Sequence, residues 1–265
     1  MKNIDVSGIT NGIGVHAYNS FKLNISGTRA NGNLIGIDVY VDSVINSLVT
    51  LMNNVVTNSS SMGIRISDED TSHISPPQIT GNNLSGSAQY GIFLRVSNAT
   101  LQGSDKNKFD GSAYAIGLAG GSYRITNLDF SKSRIGKTAL QAQGTRSLII
   151  SNCDFTISNS TDQNHFALNL YQVGSANISS LTVSGSDVGI SVNTANGVST
   201  NLVLSNSVIQ NASLAGIWFR SDDATALGNI QVNNNDLRFN PSGRAVWLTG
   251  GVRMNPSPVF SNNQQ

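Results

Sequence analysis

Two groups of residues in this 265-residue chain have the types that acid–base and sugar-handling chemistry requires. The first is His16, Asp38 and Arg65, with Tyr18, Tyr40 and Arg95 nearby at matching offsets. Elimination or epimerisation at a uronic acid needs a cation against the carboxylate to acidify the α-proton. It also needs a base for that proton and an acid for the leaving oxygen. Arg65 or Arg95 suits the first task, and His16 or Tyr40 the other two. Asp38 beside Arg65 has a simpler reading, an in-register ion pair between neighbouring strands. The second group is Trp218, Arg220, Asp222, Asp223, Arg244 and Trp247. Inverting glycoside hydrolysis uses two carboxyls about 6.5–9.5 Å apart. Adjacent aspartates more often shape a turn, and Trp218, Arg220 and Trp247 read better as a binding subsite than as a reaction centre.

These residues are far apart in the chain and meet only if a repeat brings them into register. Such a repeat exists. Gly36-Ile37-Asp38-Val39, Gly63-Ile64-Arg65-Ile66, Gly189-Ile190-Ser191-Val192 and Gly216-Ile217-Trp218-Phe219 share one pattern: small, apolar, free, apolar. Weaker copies begin at Gly14, Gly91, Ala115, Ala139, Ala167 and Ala245. The alternation is that of a strand with one buried face. The spacing of about 22 to 29 residues between copies is that of a solenoid.

A second landmark precedes each of these strands. It runs apolar-x-apolar-x-Asn and then another apolar residue, as in Leu148-Ile150-Asn152-Phe155 and Leu202-Leu204-Asn206-Ile209. Asn tolerates the left-handed conformation of a sharp corner, and stacked amides can hydrogen-bond along the axis. Each repeat therefore predicts a strand, an Asn turn, a short strand, a variable loop, the Gly-Ile strand and another turn. Three strands per coil stacked at about 4.8 Å make an all-β, right-handed parallel β-helix of about ten coils. One domain spans 1–265, with 254–265 expected as a frayed half-coil. Cys153 falls within the apolar alternation as a core residue.

In that register the residue after each first apolar position faces outward. The first outward column reads His16, Asp38, Arg65, Phe93, Gly117, Gln141, Asn169, Ser191, Trp218 and Trp247. The second reads Tyr18, Tyr40, Ser67, Arg95, Ala119, Gln143, Tyr171, Asn193, Arg220 and Thr249. Both tryptophans and three of six tyrosines fall on this face, where burial in the core does not account for them. Rings stack on pyranose faces, amides bond hydroxyls, and Arg pairs with carboxylates. Tyr18, Phe93, Gln141, Asn169, Tyr171, Trp218, Arg220 and Trp247 are the expected polysaccharide-binding set. Nine steps of about 4.8 Å make the columns roughly 43 Å long.

The order of Asn turn, short strand, variable loop and Gly-Ile strand resembles the pectate-lyase-like β-helix superfamily. That group includes pectin-cleaving enzymes, mannuronan epimerases and phage tailspikes. The resemblance covers most of the chain as a coil pattern and is specific for fold; the same coil carries enzymes and inert stalks. It implies that the Gly-Ile strands floor a groove. It also implies a polysaccharide partner and a place outside the cell, at a cell surface or on a virion. Ser221-Asp222-Asp223 is similar to the paired aspartates of polygalacturonases, but no Gly-His-Gly or Arg-Ile-Lys follows. The Asp-Pro-His of mannuronan epimerases is absent. The rival reading is a non-catalytic module: an adhesin, stalk or tailspike segment.

Composition narrows the rest. Net charge is +1 and charged residues make up 12%, so no basic patch argues for nucleic acid. No apolar run reaches the roughly 18 residues of a membrane span. The N-terminus enters the repeat at once without an apolar leader, as a fragment of a longer protein would. A homotrimer is compatible with the repeat. Asp68-Glu69-Asp70 reads as a solvated loop rather than a calcium site. His16, His73 and His165 fall at different coil positions, so no metal or cofactor is expected.

Overall fold

The computed structural model describes every residue except 44–45, 69, 71–72, 132, 158–164, 223–225, 239, 242–243 and 265. The loop expected at Ser158 to Phe166 therefore lies largely outside the described residues and that at Phe239 to Arg244 half outside them, and Glu69 and Asp223 lie outside them too.

The chain is a parallel β-solenoid with no α-helix among its described residues. Ten Gly-Ile strands, from Ile13–Tyr18 to Val246–Thr249, form one continuous parallel sheet enclosing about nine turns. A second sheet follows the turn after each of these strands, and short strands such as Val55–Thr57 and Asp154–Thr156 form the third side. The inward positions are filled as the alternation requires: Val39, Ile66, Leu94, Leu118, Ala142, Leu170, Val192 and Phe219 are all buried. Leu248 departs from this and is 53% exposed, because its strand is the last rung of the long sheet. Inside the third side Phe130 stacks on Phe155 at 5.3 Å, and Phe109 lies tilted against Phe130 at 5.7 Å. Cys153 is buried, and its thiol is pushed up by that burial.

Two adjacent columns divide the work expected of the Asn turn. Asn53, Asn127, Asn152, Asn206, Asn234 and Asn262 take the left-handed conformation, with φ between 52° and 57°. Ser180 does the same at 53° where the Asn is replaced. The amide stack belongs instead to the next residue. Asn54 Nδ2 donates to Asn82 Oδ1 at 2.9 Å, Asn82 Nδ2 to Asn107 Oδ1 at 3.0 Å, and Asn235 Nδ2 to Asn263 Oδ1 at 3.1 Å. Each amide also reaches a main-chain carbonyl, as Asn82 does to Leu51 at 3.0 Å. Corner geometry thus falls to exposed Asn and polar satisfaction to the buried or half-buried Asn beside it.

The described part of the segment expected to fray, residues 254–264, is a half-coil, but a paired one. Val259–Ser261 lies parallel to Ile230–Asn233, and Asn263 Nδ2 closes the amide stack on Val232 O at 2.7 Å.

The small residue before each first apolar position has a steric cause. A Cβ on Gly36 would lie 2.0 Å from Val56 Cγ1 and 2.8 Å from the Gly63 carbonyl. One on Gly189 would meet the Gly216 carbonyl and Ile209 Cγ2, both at 2.5 Å. The small residue and the apolar residue after it both turn toward the core, so strict alternation fails there, as at a bulge. The residue before the small one is thereby returned to the outer face.

Candidate functional site

The long sheet aligns the outward columns rung by rung. His16 stands opposite Asp38, Asp38 opposite Arg65, and Arg65 opposite Phe93. The column continues through Gly117, Gln141, Asn169, Ser191, Trp218 and Trp247. In the second column Tyr18, Tyr40, Ser67 and Arg95 are successive partners, as are Gln143, Tyr171, Asn193, Arg220 and Thr249. A third column, which strict alternation hides, adds Tyr90, Tyr114 and Phe166. Tyr90 proves its place by contact: its ring is 5.3 Å from Phe93 and its hydroxyl donates to Gln141 Oε1 at 2.9 Å. It also lies 5.0 Å from Tyr114. Five of the six tyrosines therefore share this face; the exception, Tyr123, is buried.

The N-terminal cluster is closed on itself. Asp38 is fully buried, gripped by Arg65 Nε at 2.6 Å and Nη2 at 2.7 Å, with His16 Nδ1 at 3.0 Å. The hydrogen bond to Asp38 holds the Arg65 guanidinium above its ordinary value. A fork committed to an internal carboxylate does not offer those donors to a substrate carboxylate. Tyr18 and Tyr40 stack at 5.8 Å, and Tyr18 donates to Asp42. That hydroxyl, with the Asn19 amide, keeps the Asp42 carboxyl below the usual carboxylate range. Arg95 lies in the second column opposite Ser67, two rungs beyond Tyr40.

Asp68 corrects the reading of a solvated loop. It occupies an inward position, fully buried, and accepts from His73 Nδ1 at 2.8 Å and the Ile74 N–H at 3.0 Å. The bond to Asp68 raises the His73 imidazole. Asp68 therefore shapes the turn after its strand, and only Asp70 of the described pair is exposed. No three potential metal donors converge among the described residues.

The C-terminal cluster is a stack. Trp218 and Trp247 lie 4.8 Å apart and 16° from parallel, and Phe166 is stacked against Trp218 at 6.3 Å. Arg244 sits over Trp247 at 4.8 Å and Arg220 by Trp218 at 5.8 Å. Arg220 Nε donates to Asp222 Oδ1 at 2.8 Å, and Asn193 Nδ2 to Asp222 Oδ2 at 2.9 Å. Both Asp222 oxygens are thus engaged in the cluster. Phe166 and Trp218 come from strands on either side of Val188–Thr194, and all seven residues of that strand are buried. Ser191 and Asn193, expected to be wet, lie under this cover. Aromatic placement here accordingly has a burial component: the rings roof small and polar residues of the sheet. Both indoles nevertheless stay half-buried. Asn169 and Tyr171 are half-buried on the neighbouring rung.

The family described as the right-handed β-helix region matches residues 96–264, more than half of the chain. No curated protein and no solved structure matches it.

Proposed function

The chain belongs to the right-handed β-helix family, and we propose that it binds polysaccharide along its long sheet without cleaving it. The observation that carries this reading is the half-exposed Phe166–Trp218–Trp247 stack flanked by Arg220 and Arg244. Planar rings offer area to the apolar face of a pyranose at little entropic cost, and the neighbouring guanidinium groups suit acidic sugars. The resemblance to pectate-lyase-like β-helices supports the same face, since there the sheet after the variable loop lines the groove. Such a role belongs outside the cell, at its surface or on a virion.

Binding without turnover is the better reading because three of the acid–base candidates, His16, Asp38 and Arg65, satisfy one another. Asp38 is buried under Arg65, and His16 points at the same carboxylate. The test is affinity electrophoresis against uronate-containing and neutral polysaccharides, with unsaturated-uronate absorbance and reducing ends followed in parallel. Retardation by at least one polymer without new chain ends is expected. New chain ends would restore an enzymatic role, and no retardation across a broad panel would remove the glycan altogether.

A further inference from the structure

The second sheet contains one break among its described strands. Lys22–Ser26, Leu48–Met52 and Gln78–Thr80 are bonded in sequence, and seven strands from Asn98–Gln102 onward form the remainder. Gln78–Thr80 and Asn98–Gln102, on successive coils, do not pair. Both sides of the break have a local cause. Pro76 and Pro77 lack an N–H, so the strand after them has three residues where Leu48–Met52 has five. On the other side the chain leaves Gln102 through a 3₁₀ turn, Gly103–Asp105, ended by left-handed Lys106. Asp105 Oδ2 fixes that turn by accepting the Gln102 N–H at 2.8 Å.

The coils stay bonded beyond both ends of the break. Ser67 pairs with Arg95 before it. After it the Asn82 N–H donates to Asn107 Oδ1 at 3.0 Å and the Leu84 N–H to Lys108 O at 2.8 Å. What remains is a slot of about 380 Å³ with Pro76, Pro77, Gln78 and Thr80 on one lip and Thr100, Gln102 and Asp105 on the other. A gap closed at both ends does not admit a threaded peptide strand. Its volume falls at the small end of ligand sites.

The lining chooses among small ligands. It holds two amide side chains, two threonine hydroxyls and one carboxylate, which together both donate and accept. Pro76, exposed, and Pro77, buried, border the slot on one side. Among the described lining residues Asp105 is the one charged side chain, which disfavours a carboxylated or sulfated sugar in the slot; Arg124 stands outside it, opposite Thr100 on the next strand. We propose that this slot is a second binding site, taking a single uncharged sugar ring. The ring would be a free monosaccharide or a neutral terminal residue of a glycan. The site lies on a different sheet from the aromatic stack and does not depend on it.

Amide-resolved NMR of the full chain tests this, with glucose, galactose, mannose and N-acetylglucosamine added singly and glucuronate as the charged control. At least one neutral sugar is expected to give saturable shifts at Gln78, Thr80, Thr100 and Gln102, with glucuronate giving none there. Trp218→Ala should leave those shifts unchanged, whereas Thr100→Val with Gln102→Ala should weaken them at least about tenfold while the remaining spectrum shows an intact fold. A neutral trisaccharide ending in the active sugar separates the two sources: equal or tighter binding identifies a chain end, and weaker binding a free monosaccharide. The proposal is overturned if none of the four sugars moves slot resonances, if the shifts fall only around Trp218 and Trp247, or if the double variant binds as well as the parent.

Discussion

Trp218 donates its indole N–H to Thr249 Oγ1 at 2.8 Å while its ring lies parallel to Trp247, so one side chain is fixed by two residues of the next strand. Its ring also faces Phe166 across a fully buried strand. Trp218 is therefore both roof and platform, whereas Trp247 has Arg244 over it and, among the described residues, no further strand of the long sheet beyond. If the stack carries sugar, Trp218→Ala and Trp247→Ala should each weaken binding by about 1–3 kcal/mol, by analogy with stacking on bases. The double variant should lose less than the sum, because the rings touch. Only Trp218→Ala should lower thermal stability appreciably. Calorimetric titration beside a melting curve separates the two effects, and strictly additive binding losses would contradict the shared platform.

Arg65→Ala should act on stability before it acts on any ligand. Removing one member of a buried pair leaves a desolvated charge, a loss of about 3–5 kcal/mol. Arg65 is itself one-third exposed, so water reaching Asp38 brings the figure to the lower end, about 3 kcal/mol. Adding Asp38→Asn should recover part of it by removing the stranded charge. Urea unfolding of the two variants checks this. A single variant as stable as the parent but defective in turnover would return Arg65 to catalysis.

The rung-by-rung order of the two outward columns was legible because period-2 alternation and a repeated Gly-Ile pair leave one register. From Ile37 to Phe219, every first apolar residue and the one two positions on is buried. The third column was hidden because the small residue before Ile92 and Ile116 breaks the alternation. Tyr90 and Tyr114 thus count as inward by period and turn outward in space. A Cβ-sized residue recurring before a core position was the available signal. Asp38 shows a different limit. Sequence places it outward but does not reveal that Arg65 and His16 close over it. Side-chain cover comes from neighbouring coils 22 and 27 residues away.

Alkaline stability should depend on Tyr123. Its hydroxyl is 2.7 Å from the Ala119 carbonyl and accepts the Val96 N–H at 3.2 Å, and burial pushes its pKa up from 10.0 to about 12. The folded state prefers the neutral phenol, so this contribution is complete below pH 10 and is lost as pH rises through about 12. Burial raises Tyr90 in the same direction. Tyr123→Phe should be less stable at neutral pH by about 1 kcal/mol for the missing bond and should show a shallower alkaline decline. Unfolding midpoints measured from neutral to strongly alkaline pH test this; parallel curves for the two proteins would assign the decline to other groups.

Gly117 and Gly36 should respond to the same substitution for different reasons. A Cβ on Gly117 would stand 2.6 Å from Tyr90 Cδ1 and Cε1 and 2.9 Å from Phe93 Cδ2, all on the outer face. Those rings can swing into solvent, so Gly117→Ala should cost stability little. It should, however, break the Tyr90 hydroxyl's bond to Gln141 and expose that rung. On Gly36 the obstacle is Val56 and the main-chain carbonyl of Gly63, which the stacked coils hold in place. Gly36→Ala should therefore destabilise by about 1–3 kcal/mol, the usual range for overpacking, even though Ala115, Ala139 and Ala167 occupy the equivalent position elsewhere. Comparing unfolding midpoints with tyrosine fluorescence for the two variants distinguishes the cases. A larger stability loss at Gly117 than at Gly36 would mean that the aromatic paving, rather than the backbone stacking, is the rigid part of this face.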